Sequence, residues 1–106
     1  MKQYTTQEQT AKLIELGFEH NKCEIEEKTE RSYEWHKETF TIGHLIEMLP
    51  TRLIVDDVPC IRVIEVNEVL YYNVVLDFIG YLCKDNTYLI DNLYDMIVKL
   101  KEEGVI

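Results

Sequence analysis

Residues 51–83 consist largely of strand-forming segments, and this composition restricts the fold more than any other feature. The segments TRLIV, CIRVIEV and VLYYNVVL are rich in Val, Ile, Leu and Tyr, which suit the pleated surface of a sheet. DDVP at 56–59 is a turn signal, and Asn67–Glu68 offers a tight two-residue connection. The segment Val69–Leu76 is apolar on both of its faces, which predicts a central strand. Gly80 indicates a bend or bulge before YLCK.

An apolar stripe at the helical period predicts a long helix near the C-terminal end. Asn86 or Thr87 is expected to cap its start, and Gly104 is expected to end it in a left-handed conformation. The stripe is long enough to cover one face of the sheet, and it consists of Leu89, Ile90, Leu93, Met96, Ile97 and Leu100.

Two further helices are expected before the strands. In TTQEQTAKLIELGF, Thr5 and Glu8 form a capping-box pattern, and Gly17 marks the helix end. In TFTIGHLIEMLP, Thr41 is the expected N-cap of a short helix, and Pro50 stops it.

The charged segment between these two helices, residues 19–38, shows a weak alternation of apolar residues. Cys23 and Ile25 form one alternating pair, and Tyr33 and Trp35 form another. A period of two predicts a hairpin of half-buried strands, with a solvated loop as the alternative.

The order of these elements predicts the fold class. We expect a single α+β domain spanning residues 1–106. Its antiparallel sheet of about four to five strands should pack against an N-terminal helix, a short middle helix and a long C-terminal helix.

The charge of the chain argues against two classes of partner. The net charge is -9, with ten acids and six bases in residues 1–50 and ten acids and five bases in residues 51–106. Without a basic face, we expect no binding to nucleic acid and no docking on anionic lipid. The most apolar stretch, residues 74–83, contains Asp77 and is too short to span a membrane.

The cysteines and the N-terminus favour a cytoplasmic location. Cys23, Cys60 and Cys83 are odd in number and widely spaced, which suits reduced thiols better than a disulfide framework. The opening residues, MKQYTTQEQT, lack the apolar core of a signal peptide.

The sequence offers little chemistry for catalysis, and we expect neither an enzyme nor a cofactor. Ser32 is the only serine and lacks the strand–turn–helix context of a nucleophile. The four glycines are isolated, so none forms a phosphate-binding loop. Cys60 and Cys83 lie in apolar strands as small core side chains, and Asp56–Asp57 are turn residues.

A metal site is suggested only by HNKC, where two residues separate His20 from Cys23, a spacing typical of one pair of zinc ligands. Structural zinc sites usually combine two such closely spaced pairs, whereas seven residues separate His36 from His44. We therefore expect no bound metal, and histidines at the surface or at helix ends.

Aromatic residues amid charge give one candidate partner-binding surface. It consists of Tyr33 and Trp35 with Glu26, Glu30 and Glu34. The alternative is that both aromatic side chains pack onto the sheet as part of its apolar face.

Three stretches, TTQEQTAKLIELGF, TIGHLIEMLP and LIDNLYDMIVKLKEEGVI, resemble a group of proteins. These are small, acidic, uncharacterised proteins of anaerobic gut bacteria and their phages or mobile elements. The resemblance covers about half of the chain. It implies a small accessory protein of mobile-element origin, and it brings no functional residue with it.

These observations favour a non-catalytic protein-interaction module. Its partner would be another protein or a second copy, forming a homodimer through a sheet edge or the helix-covered face. The alternative is an acidic inhibitor that mimics DNA, for which the even spread of acids is unfavourable. The strip that would act as such a mimic is Glu24, Glu26, Glu27, Glu30 and Glu34.

Overall fold

An antiparallel sheet is the centre of the structure, a computed structural model that describes residues 3–18 and 39–106. Within these ranges the elements are α1 (Gln7–Glu15), α2 (Ile42–Met48), β1 (Arg52–Val55), β2 (Val58–Glu65), β3 (Glu68–Asn73), β4 (Phe78–Cys83) and α3 (Leu89–Glu102). The strands lie in the order β1-β2-β3-β4, and each is antiparallel to its neighbour. The predicted α+β fold is confirmed, while the hairpin expected at 19–38 lies outside the described residues.

The helices cover one face of the sheet, and the core lies between them. The predicted stripe of α3 is buried from Ile90 to Leu100. The buried apolar side chains are Leu13, Phe40, Leu45, Leu49, Cys60, Val69, Tyr71, Ile90, Leu93, Met96, Ile97 and Leu100.

α1 lies against α3 through its buried face and through polar contacts. Gln9 Nε2 donates to Asp91 Oδ1 at 2.8 Å, and Lys12 Nζ lies 3.7 Å from Glu102 Oε2. An exposed ion pair of this kind contributes ~0.2–1 kcal/mol. Burial of the Leu13 side chain contributes more, ~1.5–3 kcal/mol, so apolar packing dominates this contact.

The N-cap of α1 is one residue later than predicted. Thr6 Oγ1 accepts from the Gln9 amide at 3.1 Å, and Gln9 Oε1 accepts from the Thr6 amide at 2.9 Å. Thr5 is occupied elsewhere, because its hydroxyl accepts from the Phe40 amide and bonds to the Thr10 hydroxyl. Thr5 thereby joins the N-terminal segment to residue 40, and the predicted pair of Thr5 and Glu8 was wrong.

The helix ends at the two predicted glycines are confirmed. Gly17 and Gly104 adopt φ of +104° and +74°, the left-handed region that glycine tolerates. In each case the amide after the glycine donates to the carbonyl five residues earlier, that of Leu13 or Leu100, at 3.1 or 2.9 Å. Both ends are therefore Schellman motifs.

The start of α3 differs from the prediction. Tyr88 is the N-cap and makes no side-chain hydrogen bond there, so neither Asn86 nor Thr87 caps the helix. Asn86 bonds instead to the fully buried Asn92, whose Oδ1 accepts from the Asn86 amide at 3.1 Å and from its side chain at 2.9 Å. Asn92 Nδ2 donates to the Asn67 carbonyl at 2.6 Å. The buried amide of Asn92 thus joins the β2–β3 turn to the start of α3.

The first two turns of the sheet are two-residue turns. Asp56 and Asp57 have φ of +51° and +65°, the signs that a type I′ turn requires. The turn predicted at 56–59 is therefore confirmed at its first two residues, whereas Val58 and Pro59 already belong to β2. The β2–β3 turn is Val66–Asn67, because Glu65 pairs with Glu68. The connection expected at Asn67–Glu68 was therefore wrong by one residue. The side-chain Nδ2 of Asn67 donates to the Thr87 carbonyl at 2.7 Å.

β3 is central, as predicted, but it ends at Asn73 and not at Leu76. Asn73 Oδ1 accepts from the Leu76 amide at 2.8 Å, which gives the chain a turn in place of further sheet pairing. Residues 74–76 therefore leave the sheet, and all three are exposed.

Gly80 forms the predicted bulge. The register moves from Tyr71 opposite Tyr81 to Tyr72 opposite Ile79, which leaves Gly80 as the additional residue. A Cβ atom on Gly80 would lie 2.8 Å from a methyl carbon of Val55. The two edge strands, β1 and β4, thus approach each other at this point, and the sheet is strongly coiled.

Candidate interaction surface

The surface predicted from the sequence lies outside the described part of the chain. This applies to Tyr33 and Trp35, and equally to Glu26, Glu30 and Glu34. Their role in partner binding stays a prediction.

The thiols of β2 and β4 belong to the packed side of the sheet. Cys60 is buried, and its Sγ lies 3.6 Å from the Val58 carbonyl, to which it donates. Burial raises the pKa of the Cys83 thiol to about 11, and the carboxylate of Asp95 acts in the same direction. Since the thiolate is the nucleophilic form, Cys83 is a weak nucleophile at neutral pH.

His44 belongs to the cap of α2. Its amide donates to Thr41 Oγ1 at 3.2 Å, and its Nδ1 lies 3.5 Å from the Thr41 amide, which completes a capping box. Its ring meets Phe40 edge-on, with 6.3 Å between ring centroids. Among the residues that the structure describes, no three His, Cys, Asp or Glu side chains come together as a metal ion would require. Cys23 and the other histidines fall outside that part of the chain.

The strand register assigns the side chains of the sheet to two faces. Residues paired across neighbouring strands share a face, and successive residues of one strand alternate between faces. Cys60 and Tyr71 lie on the face that the helices cover. The opposite face, here called the open face, carries Arg52, Ile54, Pro59, Ile61, Val63, Glu65, Glu68, Leu70, Tyr72, Ile79 and Leu82.

The open face is apolar across all four strands. Ile54 is 73% exposed, Ile61 51% and Ile79 50%, and each belongs to a different strand. A shallow groove over β1 and β2 is lined by residues that include Arg52, Ile54, Pro59 and Ile61. No side chain of the described ranges covers this surface, although antiparallel sheets that face water usually alternate apolar and polar residues.

The turn between β3 and β4 extends this apolar surface. Val74, Val75 and Leu76, here called the tip, are 73%, 86% and 62% exposed. Asn73 Nδ2 donates to the Pro59 carbonyl at 2.7 Å, and the Tyr72 hydroxyl donates to Asp77 Oδ1 at 2.5 Å. The second bond raises the pKa of Tyr72, because the carboxylate favours the protonated phenol. These bonds hold the tip against the strands.

The distribution of exposed apolar side chains identifies this surface. Ten large apolar side chains are exposed within residues 3–18 and 39–106, and seven of them belong to the open face or the tip. Monomeric proteins rarely expose a contiguous apolar patch of more than a few hundred Å² unless it binds something. The sequence did contain a sign of this surface, because the strands also carry apolar residues at the alternate positions that form the open face. The apolar residues on both faces of Val69–Leu76 were taken only as the sign of a central strand, so the exposed face was missed.

The fold and this surface define a small α+β protein with one helix-covered and one open, apolar sheet face. Comparison with known protein families, with curated proteins and with solved structures finds no match for the chain. None of the helices described here is long and apolar enough to cross a membrane.

Proposed function

We propose that this chain is a non-catalytic protein-interaction module and that the open face, extended by the tip, is its docking surface. The observation that carries the proposal is that seven of the exposed large apolar side chains lie either on the open face or in the turn that adjoins it. Exposing them to water costs free energy, ~25 cal/mol for each Å² that a partner would otherwise cover. An apolar protein surface is therefore the kind of partner that fits.

The construction of the surface supports the same proposal. Cross-strand pairs fix the open face, and the bonds of Asn73 and Tyr72 fix the tip. A surface that is ordered before binding loses less conformational entropy when a partner docks. From the resemblance noted above, we further propose an accessory role in a phage or mobile element, in the cytoplasm.

A capture experiment with matched variants tests this function. The tagged chain, the double variant Ile54→Lys with Ile61→Lys, and the control Tyr88→Lys are each used to capture proteins from a lysate. Tyr88 is 44% exposed and lies away from the open face, at the start of α3. We expect a partner that the wild type and the control retain and the double variant loses.

Two outcomes would contradict the proposal. One is a partner retained equally by all three chains. The other is a nucleic-acid-binding protein that is released at modest salt and is indifferent to the lysine substitutions, which would favour the DNA-mimic alternative. Circular dichroism of each variant establishes that the fold is intact.

A further inference from the structure

We propose that the open face binds a second copy of this chain, so that two sheets pack face to face in a symmetric dimer. This inference rests on the proposed function, because it names the partner of the same surface. In a two-fold dimer one patch meets its own copy, so an apolar patch is automatically complementary to itself.

The extent of the surface suits a small dimer interface. The open face and the tip contribute eleven apolar residues, eight from the strands and three from the turn. Each partner in a standard interface contributes about 800 Å², and weaker, reversible complexes use less. Seven of these eleven side chains are between 36% and 86% exposed. Because they belong to one four-stranded sheet and one short turn, we expect a small interface and a reversible dimer.

The charges of the open face also permit self-association. The whole chain carries -9, and two such molecules repel each other. On the open face the charged residues are Arg52, Glu65 and Glu68, which sum to -1. Within residues 3–18 and 39–106, most carboxylates therefore lie outside the open face, where salt screens them. A strongly basic partner would find few carboxylates on this face.

Other parts of the sheet are less suited to self-association than the open face. The helix-covered face is occupied by the core, including Val69 and Tyr71, which are fully buried. At the edges, β1 is only four residues long, and its Val55 lies against Gly80 of β4. This approach of the two edge strands obstructs the addition of a strand from another copy.

Sedimentation equilibrium of the purified chain tests the inference. We expect a reversible dimer with a dissociation constant between ~1 and ~200 µM, the range in which a small interface associates. Ile61→Lys should raise the dissociation constant at least ~10-fold, because a lysine ammonium would be buried against apolar side chains. Ile54→Lys should act in the same direction, and it should not affect folding because Ile54 is 73% exposed. Tyr88→Lys adds the same charge elsewhere and should change the constant less than ~2-fold.

The outcomes separate this inference from the proposed function. A wild-type chain that stays monomeric to ~200 µM overturns self-association, whereas a captured partner lost on the lysine variants would still support the docking surface. A dimer that persists in both Ile54→Lys and Ile61→Lys places the interface elsewhere and also overturns the inference. Raising the salt from ~0.05 to ~0.5 M should leave the dimer unchanged or tighten it, since the remaining charges repel. Dissociation by salt would count against it.

Discussion

Arg62 and Tyr71 face each other across β2 and β3, and together they close the C-terminal end of α2. Arg62 Nη1 donates to the carbonyls of Ile46 and Leu49 at 2.9 and 2.8 Å, and the Tyr71 hydroxyl donates to the Pro50 carbonyl at 2.6 Å. A helix end leaves carbonyl groups without intrahelical partners, and a cation there is favoured by the helix dipole. One cross-strand pair thus fixes the middle helix on the sheet.

Replacing either residue should destabilise the fold. Tyr71→Phe keeps the ring but removes the bond to Pro50, at a cost of ~1–2 kcal/mol in the free energy of unfolding. Arg62→Met keeps the apolar stem but removes two charge-assisted bonds, at a cost of ~2–3 kcal/mol. Urea unfolding measures both, and a loss below ~0.5 kcal/mol in either variant would contradict this role.

The buried amide of Asn92 should be equally sensitive. Asn92→Leu is close to the same size, but it removes the acceptor for Asn86 and the donor to the Asn67 carbonyl. Those groups lose their partner in a partly buried site, so we expect a loss of ~2–4 kcal/mol in the free energy of unfolding. Thermal unfolding gives the measurement, and an unchanged or higher midpoint would show that the amide network is dispensable.

Gly80→Ala should destabilise the sheet because the added methyl group would lie 2.8 Å from the Val55 side chain. Overpacking of this kind costs ~1–3 kcal/mol. Gly43→Ala is the matched control, since its nearest neighbour is 3.7 Å away and alanine favours the helix by up to ~1 kcal/mol. Adding Val55→Ala to Gly80→Ala should recover part of the loss. The close approach would be refuted by equal stability of the two glycine variants.

Alkali should destabilise the protein. Burial raises the pKa of Cys83 from 9.0 to about 11 and that of Tyr71 from 10.0 to about 12. Below the pKa values that these groups have in the unfolded chain, both are protonated in the folded and the unfolded state. Their contribution to stability is then fully present. As pH rises through the window from 9 to 12, the unfolded chain loses these protons first, and stability falls.

The variant Cys83→Ala separates the contribution of the thiol to this pH dependence from that of Tyr71. Unfolding of this variant by urea should depend less on pH between 9 and 11 than unfolding of the wild type. Identical slopes in the two proteins would show that Cys83 titrates as it does in the unfolded chain.

Local signals in the sequence predicted the elements that depend on their own residues. The α3 stripe, the Schellman ends at Gly17 and Gly104, the Thr41 cap and the bulge at Gly80 were all correct, because each follows from a short pattern. The misplaced cap of α1, by contrast, depends on a distant partner. Thr5 does not cap α1 because its hydroxyl receives the Phe40 amide, 35 residues away.

The open face was missed for a related reason. Apolar residues on both faces of β3 predicted a central strand, but which faces of the sheet are covered depends on how many helices pack and on which side. Here the helices cover one side, and Leu70 and Tyr72 face the other. The burial of Asn92 was not predicted either, since a polar residue beside an apolar stripe gives no sign that its amide is buried.

The most direct test of the docking surface is methyl NMR of the isoleucine-labelled chain, recorded from dilute to concentrated solution and then with any captured partner. We expect the signals of Ile54, Ile61 and Ile79 on the open face to shift together. The signals of Ile90 and Ile97, which are fully buried on α3, should stay in place. Shifts confined to other surfaces, or a partner that binds without moving the three exposed isoleucines, would contradict the central claim.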